Sequence, residues 1–437
     1  MKANSTAKKF VGNSSWMMLQ QIYYMVLSLV IGSLSARYLG PSNYGLINYG
    51  ASIISFFTII SKLGLDGVII NEMIKKPEEK GSLLGSALVF RLITSVASLF
   101  SIMAIIRVLE PDNNVLHVIT LLQSFAVILQ SYEVFNYWFQ LNLRMKYVSI
   151  ATMIAQTVVG IWRIALLATQ SSVYLFALSS SIQFLVCGVV VIACFFKQKD
   201  ASTKLSFSNK IGVDLVGKSY HFIISGLAIT FYMQIDKIMI GKFLTSEAVG
   251  IYTAATTVAA LWEFVPNALV NSARPLIIEK REKNYEEYIK RFQQLLLGIT
   301  ALSIVVSVGM MIVGRLAIYI LYGKNYMDAV IPLSILIWST GFAMIGTVRS
   351  VWIVAEGYNK YSKYYVLIGA LVNFVLNYFA IQFWGIVGAA ITTLISQAVV
   401  AFVSPLFFKK TRGFVKIYFE SFAQIPDLIQ IIQNWKK

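Results

Sequence analysis

Nine ionisable side chains lie inside long apolar runs of this sequence: Lys62, Asp66, Arg91, Glu133, Arg163, Asp236, Lys237, Glu263 and Arg349. A charge at the centre of a bilayer costs at least ~2.5–3.5 kcal/mol, so a residue of this kind usually has a function. Arginine holds a phosphate through paired hydrogen bonds, and lysine holds it as a point charge. The five basic members of the set therefore predict a path for an anionic cargo: Lys62, Arg91, Arg163, Lys237 and Arg349.

The four acidic members of the set are candidates for binding a driving H⁺ or Na⁺: Asp66, Glu133, Asp236 and Glu263. Lys62 and Asp66 are one helical turn apart, so they are expected to share a helix face, where a mutual salt bridge would let the helix tolerate both. Lys62, Arg91 and Glu263 lie deepest in their runs, which favours a functional role over snorkelling to the interface.

Other residue types that support chemistry are scarce. Cys187 and Cys194 lie in one apolar run, and His117 and His221 are isolated, so neither a disulfide framework nor a metal site is predicted. The sequence has no nucleophile–base set, phosphate-binding loop or dinucleotide fingerprint. We therefore predict a transporter without a cofactor, rather than an enzyme.

The elements that carry these charges are apolar helices. Of 437 residues, 57% are hydrophobic and 13% are charged, whereas soluble domains have about 25% charged residues. About 20 apolar residues cross a bilayer as a helix, and strand-like alternation is absent. We predict an all-α integral membrane protein with spans at 10–36, 45–70, 82–107, 115–139, 148–169, 172–196, 219–241, 248–272, 292–314, 328–353, 362–383 and 385–408. This is a total of twelve transmembrane helices.

The formal net charge of +17 follows this topology. Most lysines and arginines lie in segments on the side of the N-terminus, and few lie in the opposite loops, which predicts that both termini are cytoplasmic. The positive charge thus indicates contact with anionic lipid rather than with nucleic acid. Residues 280–291 and the tail 409–437 carry amphipathic patterns, including Ile429 and Trp435, that predict helices lying on the membrane surface.

The sequence also repeats internally. Residues 37–45 match 242–250 at an offset of 205, and Trp138 matches Trp352 at an offset of 214. We predict two parallel six-helix repeats, of the kind that rock about a central site. They comprise an N-terminal half at 1–196, a cytoplasmic linker at 197–218, a C-terminal half at 219–408 and the tail.

One ordered set of residues resembles the bacterial polysaccharide exporters and O-antigen flippases, which belong to the superfamily of multidrug, oligosaccharidyl-lipid and polysaccharide exporters. The set is Asn13, Trp16, Arg37, Gly40, Pro41, Gly45, Asp236, Gly250, Tyr252, Asn373, Asn377 and Thr393. The resemblance covers nearly the whole chain. It implies twelve helices around a central V-shaped cavity in the bacterial inner membrane.

The resemblance also implies a function. It is the flipping of an undecaprenyl-diphosphate-linked oligosaccharide, a repeat unit of O-antigen, capsule or exopolysaccharide, from the inner to the outer leaflet. Alternating access coupled to H⁺ or Na⁺ would drive the step, and a polysaccharide polymerase and a chain-length regulator would be partners.

Two alternatives stay open. A cation-coupled multidrug exporter of the same superfamily is expected to have a more acidic cavity, and the five basic residues argue against it. A membrane-embedded polysaccharide polymerase is expected to need a sizeable outer loop, whereas the outer connections here are short.

Overall fold

The computed structural model describes residues 2–199 and 203–426, with side chains from residue 12 onward, and this part of the chain is almost entirely helical. Ten of its helical segments are long and apolar enough to cross a membrane. Two of them, Gly12–Lys62 and Asn359–Leu406, have 51 and 48 residues, about twice what one crossing needs. The all-α membrane architecture predicted from the sequence is confirmed.

A glycine breaks each of the two long segments. Gly40 has φ 71° and ψ 168°, and Gly385 has φ 58° and ψ −138°. Both values of φ lie in the left-handed region that glycine adopts readily. If each broken segment crosses twice, the ten segments of the described chain make twelve crossings, which is consistent with the predicted number.

The chain forms two compact units, Met1–Gln234 and Ile235–Lys437. They meet within one helix, and the predicted division at a linker, residues 197–218, stays a prediction. The first unit contains α1 (Lys2–Lys62), α2 (Ile69–Lys75), α3 (Lys80–Leu109), α4 (Asn114–Leu129), α5 (Val134–Leu141), α6 (Met145–Ala168), α7 (Val173–Ala177), α8 (Ser179–Gln198) and most of α9 (Asn209–Phe243). Short 3-10 turns lie at Leu65–Gly67, Pro77–Glu79 and Gln130–Glu133.

The second unit contains the end of α9 and the helices α10 (Ser246–Ala260), α11 (Phe264–Lys283), α12 (Tyr285–Tyr322), α13 (Val330–Ala355), α14 (Ser362–Ala398), α15 (Ser404–Leu406) and α16 (Gly413–Ser421). Its 3-10 turns lie at Leu261–Glu263, Lys324–Ala329, Asn359–Tyr361 and Phe422–Gln424, and a π-helix lies at Val399–Val403.

A tryptophan lies in the core of each unit. Trp138 is 1% exposed and packs edge-on against Phe195, with ring centroids 5.4 Å apart. Trp352 is 4% exposed and lies 6.1 Å from the ring of Phe414. These are the two tryptophans that the offset of 214 aligned, so each repeat places this residue in its own core.

The first predicted surface helix, residues 280–291, is wrong as a separate element, whereas the tail contains a separate helix, α16. Residues 280–291 are the junction of α11 and α12, where the Asn284 side chain caps α12 by accepting from the amide of Glu287 at 3.0 Å. In the tail, α16 buries Phe414 and Tyr418 against the core of the second unit. The same helix leaves Phe419 63% exposed, so its contact with lipid stays a prediction, while Ile429 and Trp435 lie outside the described residues.

Candidate functional site

The first group of predicted site residues lies where α1 ends. Leu63 (φ 57°) and Gly64 (φ 62°) are both left-handed and break the helix directly after Lys62. A Cβ on Gly64 would lie 2.7 Å from the backbone oxygen of Ser219, so this position requires glycine. Because helical periodicity stops here, the expected shared face of Lys62 and Asp66 does not form.

The predicted pairing of Lys62 with Asp66 is therefore wrong. Lys62 Nζ lies 3.0 Å from Glu133 Oε2. Asp66 is exposed and accepts a hydrogen bond from the Tyr137 hydroxyl at 2.5 Å. The break separates these two charges and gives each a partner from the segment Gln130–Leu141.

A second cation reaches the same carboxylate. Arg91 Nη2, from α3, lies 3.0 Å from Glu133 Oε2 and donates to the backbone oxygen of Gln130 at 3.1 Å. The 3-10 turn Gln130–Glu133 supplies both acceptors. We call Lys62, Arg91 and Glu133 the Glu133 cluster.

Exposure separates the two basic members of the Glu133 cluster. The side chain of Arg91 is 1% exposed, whereas that of Lys62 is 28% exposed. Two cations share one carboxylate oxygen, so the cluster retains positive charge. Lys62 is the member that a second anion can reach.

A second polar group surrounds Asp236, which is 8% exposed in α9. Its carboxylate accepts from the Tyr252 hydroxyl at 2.7 Å, from Asn377 Nδ2 at 2.6 Å and from the Thr393 hydroxyl at 2.6 Å. We call the group the Asp236 cluster, with Asn373 and Thr392 as further members. All the side-chain donors to Asp236 are neutral.

Helix α14 supplies most of this cluster because it folds back on itself at Gly385. A Cβ on Gly388 would lie 2.1 Å from the backbone oxygen of Ala380, so the two arms of α14 run in close contact. Asn377 then donates to Asn373 Oδ1 at 3.0 Å and accepts from Thr392 of the opposite arm. Asn373 and Asn377 are 1% and 0% exposed, so the network is dry and internally satisfied.

Tyr252, Thr392 and Thr393 had not been assigned to a site from the sequence. Tyr252 and Thr393 entered only through the family resemblance, because neither residue type carries a charge. The available signal was the spacing of Asn373 and Asn377, which places two amides on one helix face near a glycine break.

Arg349 of α13 has a different environment. It is 5% exposed, its Nη1 donates to the backbone oxygens of Ala401 (3.0 Å) and Val400, and its guanidinium stacks 4.4 Å from the centroid of the Tyr365 ring. These carbonyls belong to the π-helix, whose altered bonding leaves acceptors available. Arg349 thus ties α13 to the end of α14.

The remaining predicted charges are not brought together. Lys237 follows Asp236 in α9 and is half-buried. Glu263 is half-buried at the end of a 3-10 turn and makes no ion pair among the described residues. Arg163 lies in α6 and lines a small polar pocket in the first unit.

The family-pattern residues have mainly local roles. Asn13 accepts from the Met145 amide at 2.7 Å and so caps α6, and Lys146 lies 5.0 Å from the ring centroid of Trp16. Gly40 forms the α1 break, with Pro41 directly after it. Arg37 is exposed, whereas the other glycines of the pattern are buried in helices: Gly45 and Gly250.

Comparisons with known proteins agree with this architecture. A family model described as polysaccharide biosynthesis protein matches residues 10–280. A probable flippase of Haloferax volcanii, AglR, is 28% identical over 170 residues, which cover 38% of this chain and 36% of that protein. A probable low-salt glycan biosynthesis flippase of the same organism, Agl15, is 24% identical over 49% of this chain and 46% of its own length. The chain thus aligns with about a third to a half of these two relatives.

A protein of Escherichia coli K12, provisionally named an O-antigen transporter, is 19% identical over 86% of this chain and 91% of its own length. Among solved structures, the lipid II flippase MurJ in an inward closed conformation has a TM-score of 0.71 at 17% identity, over 96% of this chain and 93% of that one. An outward-facing multidrug transporter of the MATE family has a TM-score of 0.61 at 15% identity, over 94% and 96%. These structural likenesses establish the fold.

Proposed function

Because the chain belongs to the family of polysaccharide biosynthesis proteins, we propose that it is a flippase for a lipid-linked oligosaccharide. The cargo that we propose is an undecaprenyl-diphosphate-linked repeat unit, carried from the inner to the outer leaflet of a bacterial cytoplasmic membrane by alternating access. Relatives named as flippases and as an O-antigen transporter support the class of transport. The charges indicate an anionic cargo, and the family indicates that it is a lipid-linked oligosaccharide.

The observation that carries the proposal is the partial exposure of Lys62 in the Glu133 cluster. Glu133 stays paired with Arg91 when Lys62 leaves, so release of Lys62 leaves no buried carboxylate alone. A diphosphate offers Lys62 a stronger anion than a shared carboxylate does. Lys62 can therefore exchange Glu133 for the cargo and return to Glu133 after release.

The other basic residues then divide by role. Arg91 and Arg349 are 1% and 5% exposed, and each donates through one nitrogen to the protein, so we propose that they position the Glu133 cluster and the end of α14 and do not contact cargo. Lys237 is half-buried and stays a proposed cargo contact.

For ion coupling we propose the Asp236 cluster as the binding site of H⁺ or Na⁺. A buried carboxylate is stable only when its charge is compensated, and all the side-chain donors to Asp236 are neutral. The carboxylate, hydroxyl and amide oxygens around it are the ligands that hard cations prefer. Binding or release of one cation would change the charge where the two arms of α14 meet α9 and α10.

Translocation tests the cargo. Proteoliposomes containing the full-length protein and a fluorescent undecaprenyl-diphosphate oligosaccharide are expected to show inner-to-outer transfer. Lys62→Gln should slow it at least tenfold, whereas Lys210→Gln, at an exposed site in α9, should leave the rate unchanged. Absence of transfer alongside efflux of cationic dyes would identify a drug exporter instead.

Coupling is tested in the same vesicles by applying H⁺ and Na⁺ gradients one at a time. One gradient is expected to accelerate the wild type, and Asp236→Asn should abolish that response. Asp112→Asn, at an exposed loop position, should keep it. A full gradient response in Asp236→Asn would exclude this cluster as the coupling site.

A further inference from the structure

Arg163 of α6 is a cation with no counter-ion among the described residues. It makes no hydrogen bond or ion pair with any described residue, and its Nε is buried without an acceptor. It lies five residues before the end of α6 at Ala168, roughly 7.5 Å along the helix. A guanidinium in this position needs an anion or water to offset its desolvation.

The side chain faces a pocket of about 90 Å³ in the first unit. The polar lining comes from three helices: Tyr24 and Ser28 of α1, Gln156 and Arg163 of α6, and Gln183 of α8. No aspartate or glutamate is among the described residues that line it. The polar groups around the cation are thus hydroxyls and amides.

Gln156 gives a second, independent sign of a missing ligand. The residue is 7% exposed, and its Oε1 is buried without a hydrogen-bond donor. Buried polar atoms in proteins nearly always have a partner, so an orphan beside an unpaired cation indicates a site for a polar group. Because an amide can turn by 180°, Gln156 can present either its oxygen or its NH₂ to the pocket.

We propose that this pocket binds one small monovalent anion, either a halide or a carboxylate group. Water in the liquid occupies about 30 Å³ per molecule, so the pocket has room for roughly three waters or one such anion. Ligand pockets for drug-sized molecules have volumes of ~300–1,000 Å³, so this pocket is of a size to hold one small group. The sequence prediction of Arg163 as a diphosphate contact is replaced here by a smaller ligand.

The bound anion would accept from the guanidinium of Arg163, from the hydroxyls of Tyr24 and Ser28, and from the amide of Gln183. It would thereby join α1, α6 and α8 through one charge. This role does not depend on the proposed cargo, because residues of one unit would hold the anion.

Equilibrium binding of radioactive chloride to the full-length protein in lipid nanodiscs, in a sulfate buffer free of carboxylates, tests the proposal. We expect saturable binding near one chloride per chain. Arg163→Gln should weaken it at least tenfold, whereas Arg107→Gln, at an exposed site in α3, should bind as the wild type does. Competition by acetate distinguishes the two ligands, because acetate displaces chloride from a site that prefers a carboxylate and does not displace it from a site that selects a halide.

Two outcomes would overturn the proposal: absence of saturable binding of both chloride and carboxylates to the wild type, or equal binding in Arg163→Gln. If Arg163→Gln does not fold, Gln156→Leu provides the second variant, since it keeps the cation, removes a polar group from the pocket and is expected to weaken binding. The assay contains no lipid-linked sugar, so its failure is distinct from a failure of the flippase proposal.

Discussion

Leu143 and Gly357, 214 positions apart, end their helices in the same way, each with a left-handed backbone of φ 53° and φ 71° respectively. The residue after each, Arg144 or Tyr358, donates its amide to the carbonyl five positions earlier at 2.8 Å. Both helix ends show the motif in which a left-handed residue turns the chain, so that the amides after it donate to the last carbonyls of the helix. The duplication predicted from side chains is thus also present in the backbone of each unit.

Gly357→Ala is expected to destabilise the second unit by about 1–2 kcal/mol, because an L-residue pays that cost in the left-handed region. A Cβ at Gly357 meets nothing within 4 Å, so the loss of stability would come from backbone strain and not from a steric clash. Thermal unfolding in detergent measures the change. Gly298→Ala is the matched control, since it also has open space but lies within α12, where alanine should be neutral or stabilising.

The architecture could be predicted because its signals are local. Apolar length indicated helices that span a membrane, and the offset of 214 aligned Trp138 with Trp352, each now found in a core. The glycine breaks also had a signal, since Gly40 stands beside Pro41 and cannot continue an ordinary helix.

The site could be predicted only as a set of residues. The Lys62–Asp66 pairing was wrong because the left-handed residues Leu63 and Gly64 stop the helical period on which it depended. The Asp236 cluster depends on the fold-back of α14, which brings Asn377 and Thr393 to the same carboxylate. The helical period of the sequence does not predict this proximity. Polar neutral residues acquire roles only when tertiary structure places a charge beside them.

Arg91 and Lys62 should respond differently to substitution although they share Glu133. Arg91→Met removes a fully buried donor to the Gln130 carbonyl and to Glu133, at a cost of about 1–3 kcal/mol. Lys62→Gln should change the free energy of unfolding by less than about 1 kcal/mol, as part-exposed pairs do, while transport falls. Thermal unfolding and flipping assays on both variants check this division, and equal stability losses would contradict it.

The segment after α8 lies against the start of α3 with no space between them. A Cβ on Gly85 would lie 2.3 Å from the backbone oxygen of Ser206, while Ser86 Oγ accepts from the Ser208 amide at 2.9 Å. Gly85→Ala should therefore cost ~1–3 kcal/mol by overpacking and displace this segment. Trypsin cleavage after the exposed Lys204 should then accelerate roughly tenfold, since proteolysis follows the open population.

Gly217→Ala serves as its control, because a Cβ there meets nothing within 4 Å. This variant should be cleaved at the wild-type rate. Unchanged cleavage in Gly85→Ala would show that the segment does not depend on this close approach.

Glu72 links α2 to α9 through a charge that acid should remove. Its Oε2 lies 2.8 Å from Lys218 Nζ, and its Oε1 lies 3.7 Å from Lys75 Nζ, while Asp214 shares Lys218 at 2.7 Å. The hydrogen bond from Lys218 lowers the pKa of Glu72 below its ordinary value of 4.5, and the charges of both lysines act in the same direction. A lowered pKa in the folded state stabilises the protein above the unfolded pKa, and this contribution is lost as the pH falls through the folded value.

Glu72→Gln should therefore remove part of the acid sensitivity. The wild type is expected to lose stability as the pH falls below 4.5, and Glu72→Gln should show a shallower fall in that window, from a lower stability at neutral pH. Thermal unfolding in detergent across the acid range measures both slopes. Glu78→Gln, at an exposed position in the turn Pro77–Glu79, should keep the wild-type slope, because Glu78 makes no ion pair with any described residue. An acid slope in Glu72→Gln as steep as in the wild type would show that the contact between α2 and α9 does not depend on this carboxylate.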